Sequence, residues 1–436
     1  MPLLTPSASQ APPGRPRCSR ARLRACFAAL LTLWSALYLS LVVTPAARAT
    51  TNGFAAYYTA AHVLVHTPAS MERVYDDAWF AARIERAGIS GVYDIFHVQP
   101  PTMSLLLVPF AWLPPAAARI AWIAVSLLLL PAGLLLLARA LGLPARLAAW
   151  VLPFCLLYAP ITENLRNGQA YLLLFFLLCL LFAAILDGRR RFAGGALGSM
   201  FVCKSAGLWL WPLLACQRRW STLAWAVLVA AGAALLTLPW IGLDAWAAYL
   251  SHLPRLATMP ERTVTAYQTV TSLFGHLFVY HPRWNPVPVA DLPLLAGALT
   301  LLTLAASLAL SVRLTRRAGS TAAPLALALF FTLLAPTAPL GEGYHYLLTL
   351  PSLLVAAWHA WSARVGWVAW LLFLLAAILI GAPLPYTAPR LQAGWLALLA
   401  YPRVYGAYLL WAWLSVMSNL QGWQARYRWH KRRTAP

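Results

Sequence analysis

Lys204 has the most unusual surroundings in this sequence. Of 33 Lys and Arg residues only Lys204 and Lys431 are lysines, and Lys204 sits inside the apolar stretch 192–216. A cation in such a stretch is costly unless it is paired or wet. A phosphate suits a compact ammonium as partner; snorkelling of the stem to an interface is the structural alternative. Among the acids, Asp94 lies in Gly91-Val92-Tyr93-Asp94-Ile95-Phe96, just ahead of Pro100-Pro101. A carboxylate fixed there can deprotonate a sugar or lipid hydroxyl, and a turn aspartate is the alternative. Asp77 and Asp76 are the next candidates, although both also suit the first turn and N-cap of a short helix over 77–87, with Gly88 just past its end.

Further polar side chains cluster in the turn 161–169, Ile-Thr-Glu-Asn-Leu-Arg-Asn-Gly-Gln. Arg166, Asn167 and Gln169 can bind phosphate or sugar hydroxyls there, or simply be solvated. His345, in Gly343-Tyr344-His345-Tyr346, can donate to a phosphate or anchor in the interface with its tyrosines. His62 and His66 have the spacing of metal ligands on a helix, but no third ligand is evident, so no metal and no cofactor is expected.

These residues are carried by a chain built for lipid. It is 61% hydrophobic and 10% charged over 436 residues, where soluble proteins carry about 25% charged residues. Candidate spans are 25–45, 116–138, 146–160, 168–186, 220–240, 290–312, 322–337, 344–361, 365–383 and 397–418. Residues 192–216 read as a hairpin of two short helices with Lys204 near its tip. Residues 102–113, between Pro100-Pro101 and Pro114-Pro115, read as re-entrant or interfacial. The predicted fold is thus an all-α polytopic membrane protein with about ten spans. The apolar stretch Ala25 to Val43 is read as an uncleaved first span, with cleavage after Ala47-Arg48-Ala49 as the alternative.

The formal charge of +22 supports the topology rather than nucleic-acid binding. With the N-terminus inside, Arg139, Arg146, Arg189 to Arg191, Arg218, Arg219, Arg313, Arg316, Arg317, Arg364 and both basic tails, 1–24 and 419–436, fall on the cytoplasmic side with one acid, Asp187. The other acids fall outside. None sits mid-span, which weighs against an ion-coupled transporter. Within the membrane domain 25–418, two outer loops, 46–100 and 241–289, are long enough to fold. In the first, Phe54, Tyr57, Tyr58, Ala61, Leu64 and Val65 mark one face of a helix expected to lie on the membrane surface. The six cysteines avoid both loops, and no disulfide framework is expected.

Five segments in order resemble glycosyltransferase family 87 of the GT-C superfamily. They are Gly53-Phe54-Ala55-Ala56-Tyr57-Tyr58, Gln99-Pro100-Pro101 with Leu113-Pro114, Asn167-Gly168-Gln169-Ala170, the glycine-rich run to Lys204, and His345-Tyr346 with Pro351. The family includes polyprenyl-phosphate-mannose-dependent mannosyltransferases. The resemblance implies a plasma-membrane hexosyltransferase that passes a sugar, mannose among the candidates, from a polyprenyl-phosphate donor to a glycolipid or glycan acceptor outside the cell. Lys204, Arg166, Gln169 and His345 would hold the donor phosphate, Tyr57, Tyr58 and Asn167 would contact substrate, and a loop aspartate would act as base without a metal. The acid that usually opens the Tyr-Tyr motif corresponds here to Gly53, so the base is expected from Asp94, Asp77 or Asp76. The other reading is a non-catalytic lipid-sugar binder or flippase-like protein on the same scaffold.

Overall fold

In the computed structural model the described residues are 17–317 and 323–419; the expected cytoplasmic tails lie largely outside them. The described residues are helical, and their only β-type pairing is the isolated bridge between His281 and Asn285. Among the described residues four helices are long and apolar enough to cross a membrane: Ala25–Arg48, Pro115–Ala140, Trp220–Ile241 and Pro293–Arg316. Shorter apolar helices, Tyr171–Leu186, Ala323–Leu333 and Trp367–Gly381, fill places where full spans were expected. Tyr171–Leu186 has 16 residues, about 24 Å of helix against a hydrocarbon core of about 30 Å. It is shielded by protein: Leu172, Leu174, Phe175, Leu178, Cys179, Leu181 and Phe182 are all buried.

The expected span 146–160 is instead two helices, Ala145–Cys155 and Ala159–Asn167, meeting at 74°. Pro153 lies in the last turn of the first, and Pro160 occupies the opening turn of the second, where its missing N–H costs nothing. The polar stretch read as a turn is therefore mostly helix. It ends at Gly168 in the left-handed region, φ 63°.

The Lys204 hairpin consists of the helix Arg190–Lys204, a turn through Ser205 to Trp209, and the helix Leu210–Cys216. Its glycines serve close packing. A Cβ on Gly194 would lie 2.4 Å from Trp225 Cβ, and one on Gly198 would lie 2.6 Å from the Ala226 carbonyl oxygen. Small residues four apart thus let this helix press against Trp220–Ile241. The segment read as re-entrant forms a 3₁₀ helix, Pro101–Phe110, with Met103 and Leu107 buried. It reaches the hairpin through Thr102, whose hydroxyl donates to the Val202 carbonyl at 2.7 Å.

The helix Phe54–His66 departs from the surface helix expected. Phe54 to Ala61 are all buried, as are Val63 and Leu64. Ala55, Ala56, Ala60 and Ala61 occupy the faces that lack large side chains, so neighbouring segments close in all round. The short helix expected over 77–87 is Asp77–Arg86, and Asp76 caps it by accepting from the Ala78 and Trp79 amides at 3.1 Å.

Exposed positions test the orientation. In a background without native cysteines, Ser90→Cys should react with an impermeant thiol reagent applied to intact cells and Arg189→Cys should not, since both side chains are exposed. Labelling at 189 alone would invert the topology.

Candidate active site

The site forms where the start of Phe54–His66 meets the end of Ala159–Asn167. Arg119, fully buried near the start of Pro115–Ala140, fixes that meeting. Its Nε donates to the Ala46 carbonyl, and its Nη2 donates to those of Leu165 and Arg166, each at 2.8 Å. The latter two carbonyls lie at a helix C-terminus, where partners within the helix run out. The guanidinium also lies 5.3 Å from the Phe54 ring centroid, and Trp122 Nε1 donates to the Gly168 carbonyl at 2.8 Å. The contact leaves no room for side chains at the two glycines. A Cβ on Gly168 would fall 1.7 Å from Arg119 Nη1, and one on Gly53 (φ 85°) would fall 2.5 Å from Gln169 Nε2.

Gly53 therefore cannot carry the expected acid, and Asp94 brings a carboxylate to the same place from 41 residues away. Asp94 Oδ2 accepts from the Gly53 amide and, at 3.0 Å, from the Ala56 amide; Oδ1 accepts from its neighbour Ile95 at 2.9 Å. The free amides and positive end of the helix dipole favour this carboxylate. Burial nevertheless raises its pKa above the ordinary value, against the lowering effect of the three amides and of Lys204.

Lys204 ends its helix with its ammonium in a polar and aromatic nest. Nζ donates to Gln169 Oε1 at 3.2 Å, and Tyr57 OH donates to the same oxygen. Nζ also lies 4.9 Å from the Tyr171 ring centroid and 5.6 Å from that of Tyr57, within cation–π range. The carboxylates whose charges act on it are Glu342 and Asp94. His345 packs on Tyr171 and Tyr344, with ring centroids 4.3 and 4.9 Å away. Its buried Nδ1 has no hydrogen-bond partner. A buried unpaired nitrogen beside a cation is what an incoming polar ligand would satisfy.

Five of the residues singled out in the sequence thus converge: Asp94, Lys204, Gln169, Tyr57 and His345. The others lie apart from that cluster. Asp76 is a helix cap, and Asp77 pairs with His97 at 2.7 Å. Tyr58 turns its hydroxyl to the Leu113 carbonyl at 2.8 Å and stacks on Phe54. The Arg166 side chain is exposed and that of Asn167 half-buried. The His62 and His66 rings lie 4.3 Å apart, tilted by 43°, and the described residues hold no group of three metal-ligating side chains.

Sequence reasoning passed over three features. Glu342 accepts from Tyr344 OH at 2.7 Å, and burial raises its pKa. Tyr171 lies against the ammonium and Tyr344 packs behind it, ring centroids 5.2 Å apart. Arg403, 1% exposed, grips Glu163 with both Nη atoms, at 2.8 Å for Nη1 to Oε2. The acid between two glycines at 341–343 was a legible signal for Glu342. The isolated basic residues opening apolar segments, Arg119 and Arg403, were legible in the same way.

Geometry of this kind joins a cation, a carboxylate and hydroxyl-bearing rings at one edge of a helical membrane domain. The chain belongs to glycosyltransferase family 87, whose model matches residues 96–337. It is accordingly a membrane glycosyltransferase by family. The match takes in Gln169 and Lys204; Gly53, Asp94, Glu342, His345 and Arg403 lie outside it. No curated protein and no solved structure gives a significant match.

Two substitutions test the site. Gly53→Asp, which restores the acid of the family pattern, should lower rather than raise activity in membranes, because its Cβ meets Gln169 and Asn167. Lys204→Met should accumulate normally yet lose at least about tenfold in transferase activity, with Lys204→Arg recovering only part of the loss. Unchanged activity in Lys204→Met would remove the ammonium from the site.

Proposed function

We propose that this protein transfers a sugar from a polyprenyl-phosphate donor to a hydroxyl of an extracytoplasmic glycan or glycolipid, with mannose the first sugar to test. The observation that carries the reading is that one buried helix gathers both charges: Asp94 Oδ2 accepts from its Gly53 and Ala56 amides, and its Tyr57 shares Gln169 Oε1 with the Lys204 ammonium. The acceptor oxygen attacks the anomeric carbon while its proton passes to Asp94. The bond from that carbon to the phosphate oxygen breaks, and polyprenyl phosphate leaves with the electron pair. Attack from the side opposite the phosphate inverts the anomeric centre. Lys204 stabilises the charge growing on the leaving phosphate, the step at which fixed electrostatics contribute most. Gln169, bonded to both Tyr57 and Lys204, holds the ammonium in place. His345 Nδ1 is a further contact for the donor, and Tyr57 for substrate hydroxyls. The site faces outward across a plasma membrane, with both termini inside.

A second reading has one observation in its favour. Asp94 already accepts three backbone hydrogen bonds, which suits a cap in a non-catalytic binder of lipid-linked sugars. Transfer assays on membranes with radiolabelled polyprenyl-phosphate sugars separate the two. Asp94→Asn keeps an acceptor oxygen for the helix amides and should insert normally, while transfer falls about two to four orders of magnitude. Near-normal transfer by that variant would remove Asp94 as the base, and no transfer by the wild type with donor binding intact would favour the binder. The pH dependence has a definite sign. A base acts when deprotonated, and burial raises the Asp94 pKa, so transfer should rise with pH along an acid limb above the ordinary aspartate value of about 3.9.

A further inference from the structure

A second group of titratable side chains lies outside the donor site, between the two outer loops. His97 is three residues beyond Asp94, and its Nδ1 lies 2.7 Å from Asp77 Oδ1. His252, on the helix Leu243–Thr258, stacks on His97 with ring centroids 5.6 Å apart and an interplanar angle of 19°. Its Nδ1 lies 2.8 Å from the Ala248 carbonyl oxygen. Carboxylate and carbonyl oxygens only accept, so each neutral imidazole must carry its proton on Nδ1. Each Nε2 is then a lone-pair acceptor. Neither Nε2 has a hydrogen-bond partner among the described residues, and neither is one of the buried unsatisfied atoms.

With both imidazoles neutral, the result is a cluster of neighbouring acceptors: the Nε2 atoms of two rings stacked at 19° and the remaining oxygen of Asp77, whose side chain is 41% exposed against 12% for His97. Such a patch suits a ligand that offers several donors on neighbouring atoms, as the vicinal hydroxyls of a pyranose do. Tyr93 stands beside it, 68% exposed, and feels the charges of both Asp77 and Asp94. An exposed ring adjoining hydroxyl-binding groups offers a face for a sugar ring. The patch adjoins the proposed base along the chain, since Tyr93 precedes Asp94 and His97 lies three residues beyond it.

We propose that Asp77, His97 and His252 form the acceptor-side subsite and hold vicinal hydroxyls of the terminal sugar on a glycan acceptor, with Tyr93 beneath the ring. This rests on the transfer reading above, since it places the acceptor beside Asp94 and away from Lys204. His97 and His252 are binding residues here, and Asp77 positions His97.

The test uses the full chain in lipid nanodiscs and saturation-transfer NMR with methyl α-mannoside, methyl α-glucoside and methyl α-galactoside as probes. At least one glycoside should receive saturation from the wild-type protein. His97→Phe and His252→Phe keep a stacked ring but remove the Nε2 lone pair, and each should weaken that glycoside about tenfold. Asp77→Asn, which removes the charge holding the His97 tautomer, should weaken it by a smaller factor. Lys204→Met should retain the glycoside signal. No glycoside signal from the wild type, or equal affinity in both phenylalanine variants, would overturn the proposal. Should Lys204→Met also keep its donor affinity, the donor reading fails while the glycoside result stands, so the two failures are distinguishable.

Discussion

The guanidinium of Arg119 is tied to three parts of the chain at once: the end of the first span at Ala46, the end of Ala159–Asn167, and the Phe54 ring. A buried cation with few partners is expensive, and these carbonyls bear partial negative charge because they end a helix. Each side solves the other's problem. The price of this geometry is steric, since Gly53 and Gly168 must stay bare. The Asp94 carboxylate is then the group that reaches the exposed amides of the helix start, and Gln169 is delivered to Tyr57 and Lys204.

A consequence is that one short buried helix organises both charges of the site. Its first amides hold the carboxylate, and Tyr57, one turn on, touches the residue that holds the ammonium. Both charges are fixed by groups that are themselves packed, since Tyr57 and Gln169 are buried. Little reorganisation is then needed when charge moves during transfer.

Much of this was legible in the sequence, but unevenly. Lys204 stood out because an isolated lysine in an apolar run contradicts the composition around it, and Asp76 and Gly88 marked a helix through local capping chemistry. Composition alone also indicated a helical membrane protein. The burial of Phe54–His66 was not legible, because its alanines look neutral in a periodicity argument while tertiary packing uses them as clearance. The polar run after Pro160 was read as a loop for a related reason: its partners, Arg119 and Arg403, are far away in sequence and no local pattern points to them. Glu342 was passed over because an acid at a span end is ordinary until its neighbours are known.

The Glu163–Arg403 pair has a consequence for biogenesis. Its members are 240 residues apart, so at about 5–20 residues per second the ribosome delivers Arg403 roughly ten to fifty seconds after Glu163. During that interval the carboxylate has no guanidinium to face. Its side chain remains 28% exposed even in the finished fold, so water can hold it while it waits, whereas Arg403 is sealed on arrival. A nascent chain halted before the helix Pro402–Asn419 would therefore hold Lys204, Asp94 and Gln169 without the brace that locks Glu163 beside Gly343.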